Sequence, residues 1–331
     1  MNKTHIALAV VLGLSVIAYL FWKDFDAQTF SGLHFGPATW AGIALAVLCF
    51  VCQNFGMMWR YRLLTERFLS WGQAFRVNLL CEFTSAVTPS SVGGSSLIFL
   101  YLYKEGMNAG KSTAIMIASL FLDELFLCIS CLLVVGLCPF HRLFADAAWL
   151  TSGVKWVFFL VITLVGLWTA LLYVALFHRP GWVKSVLLAL FALPLLRRWR
   201  ESVRRLTDDL VTGSREVSGH TFRFWLKPFA ATALAWCCRY AIVNALLLAF
   251  SAQGSQAVAY ARQWVLWMIS IVSPTPGGSG LSEYMFRVYY ADFLPDVGTT
   301  LVVALMWRII TYYSYLVAGV FVVPRLVRRA K

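Results

Sequence analysis

Six runs of the sequence are each long and apolar enough to cross a lipid bilayer as a helix: His5–Trp22, Pro37–Trp59, Thr113–Gly136, Val154–Phe177, Pro228–Phe250 and Val297–Val323. About 20 such residues cover the ~30 Å of hydrocarbon. In that medium a backbone amide has no water to bond to, so a run of this kind must satisfy itself as a helix. The fold class expected is therefore an all-α integral membrane protein with six transmembrane helices. Composition agrees: 60% of residues are hydrophobic, 13% are charged and the mean hydropathy is +0.73. That balance excludes a disordered chain and leaves no room for a sizeable soluble catalytic domain. Lys23, Asp24 and Phe25 follow the first run where a secretory signal would place small residues, so it reads as an uncleaved span.

Two further apolar stretches, Gly72–Tyr103 and Tyr260–Tyr290, are interrupted in the middle. The first interruption reads Thr88-Pro89-Ser90-Ser91-Val92-Gly93-Gly94-Ser95-Ser96, the second Ser273-Pro274-Thr275-Pro276-Gly277-Gly278-Ser279-Gly280. Proline removes an amide donor and glycine frees the backbone, so neither stretch continues as one straight helix. The arms on either side, about 12–16 residues long, are typical of segments that dip into a membrane and return to the face they left. Each stretch is thus expected to be a re-entrant helical hairpin.

The charges support that arrangement. The net charge is +13, from 28 Lys+Arg against 15 Asp+Glu. With the N-terminus inside, six crossings and two hairpins that do not cross, 21 of the basic residues fall inside and 5 outside, while Arg239 and Arg308 stay within spans. This is the asymmetry of the positive-inside rule, and it places both termini in the cytoplasm of a bacterial inner membrane. The rule also accounts for the positive charge without a nucleic-acid partner. A hairpin that crossed would invert every later segment and erase the bias. The first hairpin then opens from inside and the second from outside. Each lies between two spans, with Pro89 24 residues before Thr113 and Pro274 23 before Val297. One membrane domain, 1–331, is expected to contain repeat 1 at about 37–136 and repeat 2 at about 228–323, of inverted topology, joined through a cytoplasmic basic amphipathic segment at about 179–227. In transporters such repeats frame a midplane site lined by broken helices.

Chemistry concentrates at the breaks. A half-helix starting after Gly94 or Gly280 aims free N–H groups and a positive dipole end into the loop. The hydroxyls of Thr88, Ser90, Ser91, Ser273, Thr275 and Ser279 lie beside those ends. With Pro89, Gly93, Gly94, Pro274, Pro276, Gly277, Gly278, Gly280 and Glu283 they form the expected substrate-binding set, suited to phosphate or carboxylate. The alternative is that they only shape turns and cap helix ends. Glu82, Asp123, Glu124, Arg239, Glu283 and Arg308 are ionisable residues at membrane depth, where such groups are costly and usually functional. They either contact substrate or form an ion-pair network locking the repeats, for instance Asp123 or Glu124 with Arg308 or Arg239. Glu283, in the first turn after Gly280, either caps that helix or binds a headgroup. Arg197–Arg205 reads as a basic helix on the membrane surface. Cys49/Cys52 and Cys128/Cys131 have CxxC spacing but no nearby His, and the five His residues are dispersed, so neither a metal nor another cofactor is expected. No catalytic residue set is evident.

The two broken motifs, the run Tyr101-Leu102-Tyr103-Lys104-Glu105-Gly106 with Gly110-Lys111, the pair Asp123-Glu124 and Trp307-Arg308-Ile309-Ile310-Thr311-Tyr312-Tyr313 resemble the flippase-like membrane region of lysyl-phosphatidylglycerol synthases, across about residues 5–325. The resemblance implies a membrane domain that binds or translocates a lipid. In the best-known members this region flips lysylated phosphatidylglycerol that a separate soluble domain makes. Here only eight residues follow Val323, so aminoacyl-lipid synthesis by this chain alone is not expected. Some archaeal relatives are associated with glycosyl transfer to lipid-linked sugars. The expected function is translocation of a phospholipid or an aminoacylated or other polar lipid. The alternative is an integral membrane transferase, glycosyl or aminoacyl, with Asp123 or Glu124 as base. Partners expected are membrane lipids (anionic or aminoacylated phospholipid, or lipid-linked sugar), with a homo-oligomer left open.

Overall fold

The computed structural model describes residues 35–88, 94, 97–144, 148–178, 180–192, 200–250, 253–271, 273, 275 and 277–319. All regular structure among them is helical. Five helices are long and apolar enough to span a bilayer, at Pro37–Leu64, Ala109–Leu137, Phe158–His178, Phe222–Ala249 and Val297–Gly319. They coincide with five of the expected runs; His5–Trp22 lies outside the described residues. In chain order the helices are α1 (Pro37–Leu64), α2 (Trp71–Val87), α3 (Ile98–Lys104), α4 (Ala109–Leu137), α5 (Phe140–Leu143), α6 (Ala148–Tyr173), α7 (Pro180–Leu190), α8 (Arg200–Ser218), α9 (Phe222–Ala249), α10 (Gln256–Ile271), α11 (Leu281–Tyr290) and α12 (Val297–Arg308). α6 and α12 each run on into a π-helical turn, Val174–His178 and Ile309–Tyr313.

α1 and α9 form the central seam. They run antiparallel along their whole length, with Gly42 against Ala249 at one end and Gly56 against Ala231 and Ala235 at the other. A β-carbon built on Gly42 would stand 2.6 Å from the Ala249 Cα, and one on Gly56 would stand 2.9 Å from the Ala231 carbonyl oxygen. Small residues let two backbones approach this closely where lipid offers no hydrophobic drive between helices. Replacing Gly56 with Leu is expected to cost about 1–3 kcal/mol through overpacking. A fall in the melting temperature of purified protein, absent for Leu at the open Gly136 of α4, checks this. Away from the seam, Leu48, Val51 and Phe55 of α1, Leu132 and Leu137 of α4 and Leu160, Leu164 and Leu167 of α6 face outward, as lipid-facing helices require.

Both interrupted stretches fold back on themselves. α2 and α3 meet at their far ends through Arg76, whose Nε and Nη2 donate to the Glu105 carboxylate at 2.9 and 2.8 Å, and nearer the break through Thr84 and Tyr101, whose hydroxyls are 2.5 Å apart. α10 and α11 close in the same way. Gln253 N donates to the Phe293 carbonyl at 2.8 Å and Tyr290 Oη to the Ala259 carbonyl at 2.9 Å. The arms are unequal, with 17 and 7 residues in the first hairpin and 16 and 10 in the second. α3 begins at Ile98 rather than directly after Gly94.

The open ends of the hairpins sit at opposite ends of the bundle. The first lies where α1 finishes and α4 begins, an end held by Glu66 with Lys111 Nζ at 3.1 Å and His220 Nε2 at 3.7 Å. There the Lys111 hydrogen bond draws the Glu66 carboxyl below its ordinary value. The second opens where α9 finishes, and Arg262 of α10 donates there to the Arg142 carbonyl at 2.9 Å. α8 does not stand apart from the bundle: a β-carbon on its Gly213 would lie 2.1 Å from the carbonyl oxygen of Gly110, at the start of α4.

Candidate functional site

The closed tips of the hairpins meet in the interior. Gly277 N donates to the Thr88 carbonyl at 3.3 Å, and Tyr312 Oη donates to the Ala86 carbonyl at 3.2 Å. Gly277 makes the approach feasible: a β-carbon on it, at a φ of +56°, would lie 2.3 Å from the Tyr312 ring and 3.1 Å from the Ala86 carbonyl oxygen, while one on Gly94 would lie 1.9 Å from the Cys81 carbonyl oxygen within the first hairpin. Beside the tips is a cavity of about 170 Å³ whose walls include Arg60, Glu82, Asp123, Glu124, Arg239, Gly277 and Arg308. Asp123 stands at the midpoint of Ala109–Leu137 and Arg308 at the midpoint of Val297–Gly319, so these two charges sit at mid-depth of their helices.

Three ion pairs organise these charges. Arg308 Nε donates to Glu283 Oε1 at 2.7 Å, both side chains being buried. The other oxygen, Oε2, accepts the Gly280 amide at 2.6 Å. Glu283 thus caps α11 and neutralises Arg308 at once, and Arg308 also reaches the Gly277 carbonyl at 3.4 Å. Arg239 Nη2 of α9 donates to Glu82 Oε2 of α2 at 2.8 Å, with its guanidinium beside the adjacent rings of Trp236 and Trp267, 5.3 and 5.1 Å from their centroids. Arg60 of α1, 1% exposed, is paired with Asp123 of α4, which also accepts Trp236 Nε1 at 2.7 Å. The Glu283 and Glu82 pairs each tie a hairpin to a spanning helix and the Arg60 pair ties α1 to α4, and none of the three can be opened without burying a bare charge.

The sequence expectation that Asp123 or Glu124 would pair with Arg308 or Arg239 is corrected: the partners are Arg60, Glu82 and Glu283. Arg60 directly follows the run Pro37–Trp59 and so is one of the 21 basic residues that the sequence places inside. It lies four residues before the end of α1, which made it look like a topology signal, and nothing in its neighbourhood marks it as buried. Glu124, next to Asp123 but turned about 100° around the helix, has no hydrogen-bond partner for its buried Oε2. Gln53 and Asn54, polar residues inside an apolar run, join Asn78 and Tyr315 in a further buried cluster, with Gln53 Nε2 to Tyr315 Oη at 3.2 Å, Tyr315 Oη to Asn54 Oδ1 at 3.0 Å and Asn78 Nδ2 to Asn54 Oδ1 at 2.7 Å.

Of the loop residues expected to bind substrate, Pro89, Ser90, Ser91, Gly93, Pro274 and Pro276 lie outside the described residues. The Thr88 hydroxyl donates back to the Thr84 carbonyl at 2.8 Å, and those of Ser273 and Thr275 face each other at 2.8 Å. Ser279 is buried at the start of α11, after Gly278. The serine and threonine hydroxyls that line the cavity belong to Ser85, Ser270, Ser282 and Thr311, on the helical arms and the last span rather than on the tips. Among the described residues no group of His, Cys, Asp and Glu is arranged to hold a metal.

Comparison with known proteins agrees that the chain is a membrane protein. The family described as lysylphosphatidylglycerol synthase TM region matches residues 6–319. A protein of Archaeoglobus fulgidus described as a UPF0104 membrane protein is 24% identical over 334 residues, spanning 94% of either chain. By the extent of that match, the chain is a membrane protein belonging to the lysylphosphatidylglycerol synthase TM-region family.

Proposed function

We propose that this protein moves the headgroup of a phospholipid, or of an aminoacylated or other polar lipid, across the bacterial cytoplasmic membrane. The observation that carries the reading is the meeting of two broken-helix tips at one charged cavity at mid-depth. In this reading the hairpins are re-entrant, six helices cross the membrane, both termini are cytoplasmic, and the segments at 37–136 and 228–323 form an inverted repeat about the α1–α9 seam. The antiparallel course of those two helices, each the first of its repeat, supports the symmetry, and the opposite openings of the hairpins support the topology.

A headgroup crossing bare hydrocarbon loses its hydrogen bonds at several kcal/mol per group. The cavity replaces water with fixed hydroxyls and paired charges while the acyl chains stay in lipid. Access alternates as one tip and then the other withdraws from the contact at Thr88 and Gly277. The transferase reading has less support at Asp123, whose carboxylate already accepts from Arg60 and Trp236.

Reconstitution in liposomes carrying fluorescent lipids tests the proposal. Translocation above protein-free vesicles is expected for at least one headgroup, and it is expected to fall at least tenfold in Asp123→Asn. Failure with every headgroup, or full activity in Asp123→Asn, counts against the proposal.

A further inference from the structure

The charges of the cavity do not match in number. Arg60, Arg239 and Arg308 are each satisfied by a carboxylate of Asp123, Glu82 and Glu283. Glu124 is a fourth carboxylate facing the same space with no cation against it, and its Oε2 is buried without a donor. The other titratable groups around the space are neutral: Tyr61 from α1, Cys81 from α2, Tyr240 from α9, and Tyr312 and Tyr315 after α12. Tyr240 is 1% exposed and its hydroxyl too is without a partner, as is the Trp267 indole N–H in the same wall. An anionic carboxylate left bare at mid-depth is far costlier than a protonated one.

We infer that Glu124 is an exchangeable cation site: it holds a proton while the cavity is empty and releases it when a positively charged ligand group enters. The carboxyl O–H bond breaks, its proton leaves to water on the open side, and the carboxylate forms an ion pair with the incoming ammonium. One proton leaves for each ammonium that pairs with the carboxylate, beside three guanidinium groups already balanced by three carboxylates. Nothing is oxidised or reduced. The partnerless Tyr240 hydroxyl and Trp267 N–H in the same wall leave two donors for an oxygen of the same ligand. Release of one proton for each headgroup bound would couple movement to a proton gradient. The ammonium step rests on the headgroup reading above; the proton site does not.

Infrared difference spectroscopy on the purified protein in phosphatidylglycerol nanodiscs separates the two. A pH step across the neutral range is expected to show one protonated-carboxyl C=O band that disappears in Glu124→Gln and persists in Glu201→Gln, whose side chain is exposed on α8. Gln imitates the protonated acid, so Glu124→Gln should retain the wild-type melting temperature at neutral pH. Should that variant fail to fold, Glu124→Asp is expected to keep a titrating band at a shifted frequency. No such band in wild type, or an unchanged band in Glu124→Gln or Glu124→Asp, overturns the proton site. Adding phosphatidylethanolamine to the nanodiscs should then reduce the wild-type band at fixed pH. A band unaffected by that amine lipid overturns the exchange step while leaving translocation itself to the liposome assay.

Discussion

Arg308→Met is expected to destabilise the protein by about 3–5 kcal/mol, the cost of leaving a buried carboxylate without its cation. Glu283 is 3% exposed and loses the Arg308 bond in that variant, keeping only the Gly280 amide. Replacing both partners, Arg308→Met with Glu283→Leu, removes the bare charge and is expected to recover most of the lost stability, because apolar pairs of similar volume often substitute for buried ion pairs at little net cost. Translocation is not expected to return with it. The pair holds the second tip through the Gly277 carbonyl and supplies part of the polar wall, and neither Met nor Leu does so. Melting temperatures of the two variants with liposome translocation rates check the argument. A double variant that is both stable and active would show that the pair serves folding only.

Gly277→Val is expected to have the second largest effect. A branched side chain is strained at a φ of +56°, and its β-carbon would overlap Tyr312 at 2.3 Å and press on the Ala86 carbonyl at 3.1 Å. The tip must withdraw, breaking the Gly277 to Thr88 bond. Strain and overpacking together cost about 2–5 kcal/mol. A stability loss near zero, measured by thermal unfolding, would mean that the tips do not meet as described.

Much of the architecture was legible because the bilayer imposes strict rules. A run such as Val297–Val323 has few alternatives to a spanning helix, and a Pro-Gly interruption in an apolar stretch has few alternatives to a bend. The unequal arms were not legible: α3 ends at Lys104 and α11 at Tyr290, lengths set by where the chain must reach the next helix rather than by hydrophobic pattern. The charged residues at depth were visible one by one, since Asp123, Glu124 and Arg308 each break an apolar run. Their pairing was not, because it depends on rotation and register between helices far apart in sequence, such as α2 and α9 for Glu82 and Arg239. Arg60 went unnoticed for a different reason: near a span end, a cation that anchors topology and one that turns inward leave the same mark. The π-helical turn at Ile309–Tyr313 carried no signal at all, although it follows Arg308 directly and contains Tyr312.

Everything proposed depends on two hairpins that enter the bundle from opposite sides and turn back. Thiol labelling decides this most directly. Single cysteines at Trp71 and Tyr103, the outer ends of the first hairpin, and at Ser255 and Ala291, those of the second, are all at exposed positions. In a background with the eight native cysteines replaced, a membrane-impermeant reagent should reach positions 71 and 103 from the cytoplasmic face alone, and positions 255 and 291 from the opposite face alone. Labelling of 71 and 103, or of 255 and 291, from different faces would mean that a hairpin crosses the membrane; labelling of all four from one face would mean that the two do not oppose each other. Either result contradicts the account.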